Sequence, residues 1–227
     1  MKPKAVIIYG QPGSGKGTQA ELLVRIHNFI NFDTGRYLEK ELHSTEANKS
    51  RLLIKEKKLF ESGKLNTPSF VLNIVKRETK KLAALKENIV WSGSPRTLYE
   101  AFGDKKNKGL MQLLTQIFGK ENIYIIFLKV KPQTSIQRNS TRKVCSVCGL
   151  QALAKSKNLT CSLCDGKLTK RVLDKPEVIK IRIQEFEKRT LPIIKKLKES
   201  KFKIYQVNGE LKPFQIYNQI KKILKLE

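Results

Sequence analysis

Apolar residues in this chain gather into short dense runs, separated by longer stretches where they recur every three or four positions. The runs at residues 5–9, 29–32, 89–91, 123–130 and 202–207 are rich in Val, Ile and Phe. Such runs predict strands buried on both faces. Between them the spacing is helical: Ala20, Leu22, Leu23 and Val24; Phe70, Val71, Ile74, Val75 and Leu82; residues 111–118; residues 132–142; Val178, Ile181, Ile183 and Phe186; residues 191–197; and residues 216–224. Strands alternating with helices predict an α/β protein with a five-stranded parallel sheet, helices covering both faces.

One stretch breaks the alternation. Residues 37–86 read as charged helix, with Leu38, Leu42, Leu52, Leu53, Leu59 and Phe60 supplying the apolar faces. Gly63 marks a helix end, and Thr67-Pro68 starts the next helix with proline in its first turn. A small helical insertion is therefore expected between the second and third strands. Residues 103–109 form a polar loop bounded by glycines.

Chemistry enters directly after the first strand. Gly10, Gly13, Gly15 and Gly17 surround Lys16, and a helix follows. Strand, glycine loop and helix are the setting in which a G-x-x-x-x-G-K match cradles phosphate. Glycines let several backbone N–H groups converge on an anion at a helix N-terminus, where the helix dipole also favours negative charge. Gly13, Ser14, Gly15, Lys16, Gly17 and Thr18 are the candidate residues for binding a nucleoside triphosphate, with Lys16 facing the outer phosphates and Thr18 offering a hydroxyl to phosphate or Mg²⁺. A glycine-rich turn with a chance lysine is the plainer reading, and the matched context argues against it.

A second signal is Cys145-x2-Cys148 and Cys161-x2-Cys164, twelve residues apart. Two such knuckles suit a tetrahedral Zn²⁺ held by four thiolates. Four protein ligands leave no open position, so the metal would be structural, clamping a segment too small to hold itself together. Iron fits the same four thiolates, and the metal's identity stays open. Such a ribbon standing alone would also suit nucleic acid.

Composition changes the picture only in part. The 227 residues carry 46 Lys and Arg against 20 Asp and Glu, a net charge of +26. A nucleic-acid partner is one reading. The lysines are spread over the whole chain rather than gathered in a stripe, which favours a general basic bias plus a site for polyanionic nucleotides. No apolar run reaches the roughly 18 residues of a membrane span. The start MKPK leads straight into the first strand and leaves no room for a signal peptide. The expectation is a cytoplasmic monomer acting on small nucleotides, with no membrane partner.

Taken together, these motifs resemble the adenylate kinase family, a P-loop NTPase fold. The loop Gly10 to Gln19 is similar to that family's phosphate loop. Thr34-Gly35, Gly63-Lys64-Leu65, Gly93-x-Pro95-Arg96-Thr97, Arg138-x3-Arg142, the cysteine pairs, Arg171 with Asp174, Arg182, and Val207-Asn208-Gly209 follow in the family's order along nearly the whole chain. The resemblance implies reversible transfer of the terminal phosphoryl from Mg·ATP to a nucleoside monophosphate. It implies a core of residues 1–32, 67–140 and 175–227, a monophosphate-binding insertion 33–66 and a zinc-bearing lid 141–174. It implies catalytic roles for Lys16, Arg96, Arg142, Arg171 and Arg182. Arg138, Arg142 and Gly209 join the ATP site. Thr34, Lys64, Leu65, Asn66, Gly93, Arg96, Glu100, Arg171 and Arg182 form the monophosphate site.

Four positions depart from the family pattern. Glu39 stands where the family has an arginine that grips the monophosphate; a carboxylate there is expected to repel phosphate, with Arg36 or Lys40 as substitutes. Glu100 replaces the base-reading glutamine, and a group that only accepts hydrogen bonds suits guanine better than adenine. Ser92 and Leu173 replace aspartates. AMP is the expected acceptor, GMP the alternative. A nucleotide-binding protein that engages nucleic acid without phosphotransfer is a further alternative.

Overall fold

In this computed structural model, which describes residues 2–152 and 159–227, the first apolar run forms β1 (Ala5–Tyr9) and leads through the glycine loop into α1 (Lys16–His27) and β2 (Ile30–Phe32). The charged stretch folds as α2 (Thr34–Leu42), a short 3-10 turn, α3 (Arg51–Glu61) and α4 (Pro68–Ala83). Then come β3 (Ile89–Trp91), α5 (Leu98–Phe102), α6 (Leu110–Phe118) and β4 (Ile123–Lys129). After α7 (Pro132–Thr141), the cysteine segment contributes β5 (Lys143–Cys145), β6 (Gln151–Ala152) and β7 (Leu168–Thr169). The chain closes with α8 (Pro176–Glu185), a π-helical turn, α9 (Leu191–Glu199), β8 (Ile204–Asn208) and α10 (Pro213–Leu224).

The main sheet is parallel throughout, in the order β2-β3-β1-β4-β8. β1 is central, with Ile7 in register with Trp91 on one side and Ile125 on the other. Its five residues are all buried, because a strand between two others and beneath helices on both faces has no solvent side. Ala5, Ile7 and Tyr9 pack into the core beneath α4, α6 and α9; Val6 and Ile8 pack toward α1 and α10, against Leu23 and Ile220. From β1 the chain builds first toward β2 and β3 and then toward β4. The C-terminal end of β1 is thus the point where strand order reverses, the usual place for a ligand crevice in an open α/β sheet.

The insertion follows its local signals. Asp33 caps α2, accepting from the N–H of Gly35 (3.0 Å) and Arg36 (3.2 Å). Gly63 follows α3 with φ of +80°, a left-handed conformation that suits glycine, and Pro68 opens α4. Three details differ from the sequence expectation. The second strand begins one residue late, at Ile30. The last begins at Ile204 rather than residue 202, because the Phe202 N–H turns back to the Leu197 carbonyl and closes the end of α9. The helix α5 and the antiparallel sheet β6-β5-β7 have elements of two to five residues, too short to show a period. Residues 153–158 of the expected lid lie outside the described residues.

Candidate functional site

The glycine loop wraps the N-terminus of α1. Gly13 and Gly15 hold φ of +78° and +96°, which β-carbon-bearing residues resist. Lys16 folds back onto the loop, its Nζ donating to the carbonyls of Gly10 (2.7 Å) and Gln11 (3.1 Å). Burial, followed by the guanidiniums of Arg96, Arg182 and Arg142, pushes Lys16 down to about 7 from its ordinary 10.5. Ser14 is fully buried and its Oγ has no partner among the described residues. These are the properties of an anion cradle.

The loop forms the floor of a cavity of about 770 Å³. Its lining includes Gly13, Gly15, Lys16, Gly17 and Thr18, and above them Arg96, Arg138, Arg142, Arg171 and Arg182. The arginines come from distant parts of the chain, and each is aimed by a defined contact. Arg96 Nε donates to the Gly93 carbonyl (2.7 Å), while its own carbonyl accepts from Thr190 Oγ1 (2.8 Å) at the π-helical turn. Arg142 grips the buried carboxylate of Asp174 with two nitrogens, Nε at 2.9 Å. Arg182 reaches the same carboxylate (3.4 Å) and the Leu173 carbonyl (3.1 Å). Arg182 is pushed down to about 9, first by burial and then by Arg142 and Arg96, and stays charged at neutral pH. Arg138 Nη1 donates to the Gly209 carbonyl (2.8 Å), which ties α7 to the loop after β8. A Cβ on Gly209 would stand 2.6 Å from Val130 Cγ1 and 3.1 Å from the Lys129 carbonyl oxygen, so a side chain there would push on the end of β4.

On the side of the insertion, Lys64, Leu65, Asn66 and Gly93 line the cavity. Gly93 lets the α2 N-terminus come close: a Cβ there would lie 3.3 Å from Thr34 N and 3.2 Å from Arg96 Nη2. Thr34 is buried, sharing a hydrogen bond with Ser94 Oγ (2.7 Å). Asn66 donates to the Glu56 carbonyl and carboxylate, and Leu65 N–H donates to Glu185. Glu100 is not among the lining residues. It is buried, with one oxygen accepting from Arg96 N–H (2.8 Å) and the other from Thr97 Oγ1 (2.9 Å). Burial pushes its carboxyl up, opposed by these two hydrogen bonds. Lys40 is exposed and outside the lining, and Arg36 is bonded to the Gly149 carbonyl. Ser92 lines the cavity and donates to Asn31 Oδ1 (3.0 Å). Leu173 is buried in the apolar core.

The four cysteine sulfurs converge, all within 4.8 Å of one another, with Cys145 and Cys164 3.5 Å apart and Cys148 and Cys161 3.6 Å apart. Four thiolates about 2.3 Å from one tetrahedral Zn²⁺ would be about 3.8 Å apart. The donor set is thus compatible with zinc. Backbone N–H groups of Cys148 and Val147 donate to Cys145 Sγ and draw its pKa below the ordinary thiol value, while Cys148 is pushed up despite the Leu150 N–H, by burial and the sulfurs of Cys164, Cys145 and Cys161.

With this geometry in hand, likeness to known proteins is informative. A model of the family described as adenylate kinase matches residues 8–202. The chain belongs to the adenylate kinase family. It is 32% identical over 225 residues to an adenylate kinase of Mycoplasma mycoides, covering 97% of this chain and 99% of that one. An adenylate kinase of Thermosipho africanus is 29% identical over 224 residues, with 97% and 99% covered. One of Pelobacter propionicus is 31% identical over 224 residues, with 97% and 96% covered. Membership makes the protein a nucleoside monophosphate kinase, and the positive cavity described above is what such an enzyme requires. Among the described residues no helix is long and apolar enough to cross a membrane.

Sequence reasoning did not find three features. Gln151 and Ala152 of β6 line the cavity, and the Gln151 amide lies over Gly17. The hydroxyl of Thr190 supports Arg96. The carboxylate of Glu39 meets Arg171 at 2.7 Å. Each depends on elements far apart in the chain, and nothing in the local pattern announces it.

Proposed function

We propose that this adenylate kinase family member transfers the terminal phosphoryl of Mg·ATP to AMP, reversibly, giving two ADP. The observation that carries the reading is the convergence of Lys16, Arg96, Arg142, Arg171 and Arg182 on one cavity over the glycine loop. Phosphoryl transfer needs little covalent help from protein. It needs two nucleotides held in line and fixed positive charge where negative charge spreads in the transition state.

In this reading the loop from Gly13 to Thr18 holds the triphosphate, with Lys16 leaving the loop carbonyls for the outer phosphates. Arg138 stacks on the ATP base beside Gly209. Thr34, Lys64, Leu65, Asn66 and Gly93 shape the monophosphate pocket, and Arg96 grips its phosphate. Arg142, Arg171 and Arg182 neutralise the transferring group. Thr18 would offer its hydroxyl to a Mg²⁺ brought with ATP, which would supply further positive charge against the phosphates. We assign residues 33–66 to the monophosphate-binding unit, 141–174 to the lid and the remainder to the core. Cys145, Cys148, Cys161 and Cys164 would hold a structural Zn²⁺ that keeps the lid folded, so that closure excludes water and ATP is not hydrolysed. The reading carries with it a cytoplasmic monomer that acts on free nucleotides.

The test is ADP formation from Mg·ATP with AMP, GMP, CMP, UMP and dAMP offered separately. AMP is expected to be preferred. Preference for GMP would reassign the acceptor, and ATP binding without turnover on any acceptor would overturn the proposal.

A further inference from the structure

The cysteine segment and the insertion touch across the mouth of the cavity through two side chains one turn apart on α2. Arg36 donates to the Gly149 carbonyl, and Glu39 Oε2 meets Arg171 Nη2 at 2.7 Å. Three residues apart, they lie on one side of the helix. Glu39 stands at the position where repulsion of phosphate was expected, and it lies outside the cavity lining. Its carboxylate faces a guanidinium.

The charges inside the cavity explain what this contact does. Arg171 acts on Arg96 and Arg182 as a like charge, and Arg142 and Arg96 act likewise on Lys16. Bringing Arg171 over the cavity with no anion inside therefore costs Coulomb energy, and the buried Asp174 is already shared by Arg142 and Arg182. Glu39 offsets that cost from the rim. Its side chain is 41% exposed against 16% for Arg171, so it returns to water at little cost once Arg171 finds a phosphate.

We propose that Glu39 is a latch between the insertion and the cysteine segment, outside the groups that act on the transferring phosphoryl: it holds Arg171 at the rim and biases the cysteine segment toward closure over the insertion, and a nucleotide phosphate then takes the arginine from it. This rests on reading residues 141–174 as the lid. A half-exposed pair biases closure without locking it, since a ligand shifts such a balance only by its differential affinity for the two states.

The experiment measures lid closure by energy transfer between dyes on unnatural residues replacing Lys55 and Lys167, both exposed, in the metal-loaded full chain. Without nucleotide and at low salt, Glu39→Gln is expected to lower the closed-to-open ratio about two- to fivefold, and Glu39→Arg to lower it further. Added salt should reproduce the loss in the wild type and change Glu39→Gln little. With saturating Mg·ATP and AMP all three proteins should close alike, and the KM for AMP in Glu39→Gln should fall while kcat is kept. An unchanged ligand-free ratio in both variants would overturn the proposal. So would an equal loss of closure with nucleotides bound, because the pair would then persist in the complex. A wild type that does not close on Mg·ATP with AMP would overturn the proposed function and this inference with it.

Discussion

Lys16 carries two consequences that a surface lysine would not. Held near 7 in the free protein, it is mostly neutral at pH 8, and phosphate oxygens beside it restore its proton. Nucleotide binding is therefore expected to take up a proton, with the uptake growing as pH rises through 7 and vanishing well below it. Calorimetric titrations in buffers of different ionisation enthalpy measure this directly, and Lys16→Met should abolish it while lowering turnover at least about a hundredfold. The linked stability runs the same way. Between pH 7 and 10.5 the unfolded chain binds a proton at this lysine that the folded one does not, so this lysine's contribution to the ligand-free protein's stability becomes more favourable as pH rises through that window. Away from the cavity, Trp91 is fully buried with its indole N–H donating to Thr79 Oγ1 (3.2 Å). Thr79→Val keeps the shape and orphans that N–H. A loss of about 1–3 kcal/mol in denaturant unfolding is expected, with kcat unchanged.

At the scale of elements, the antiparallel sheet β6-β5-β7 has too few residues to bury a core of its own. In the loops beside it Val147, Leu159 and Leu163 are exposed, so little apolar surface is hidden there. The four thiols must supply what packing does not. Chelation, or Cys148→Ser, is expected to release the metal and open residues 141–174 to limited proteolysis while the main sheet stays folded. Activity should disappear before the global melting transition. Metal analysis that still found one ion per Cys148→Ser chain would refute the ligand set. The glycine loop and α1 need no such support, because β1 is anchored between β3 and β4.

For the whole molecule, a charge of +26 spread along the chain is expected to raise the concentration of anions around the protein, nucleotides included. The KM for ATP is expected to rise several-fold between about 50 and 500 mM salt, as the Debye length shrinks below the distance between surface lysines and the site. The kcat should change less, since the charges that act on the transferring group lie inside the cavity. If general basicity serves nucleotides alone, an oligonucleotide should compete with ATP only at low salt.

Local pattern alone determined the five strands of the parallel sheet, the glycine loop with its Lys16, the insertion's helix boundaries at Gly63 and Pro68, and the two cysteine knuckles. Each of these is written within a few residues, by burial on both faces, by backbone freedom, by a fixed φ or by ligand spacing. The family's order of motifs extended that to Arg96, Arg142, Arg171 and Arg182, all of which the fold brings to one cavity. Only tertiary structure decided where the carboxylates point. Glu100 turned to its own loop, where Arg96 N–H and the Thr97 hydroxyl each satisfy one of its oxygens. Glu39 met Arg171, 132 residues along the chain. A side chain's charge is local, but its partner is set by which distant element packs against it, and no period or motif in one dimension records that choice.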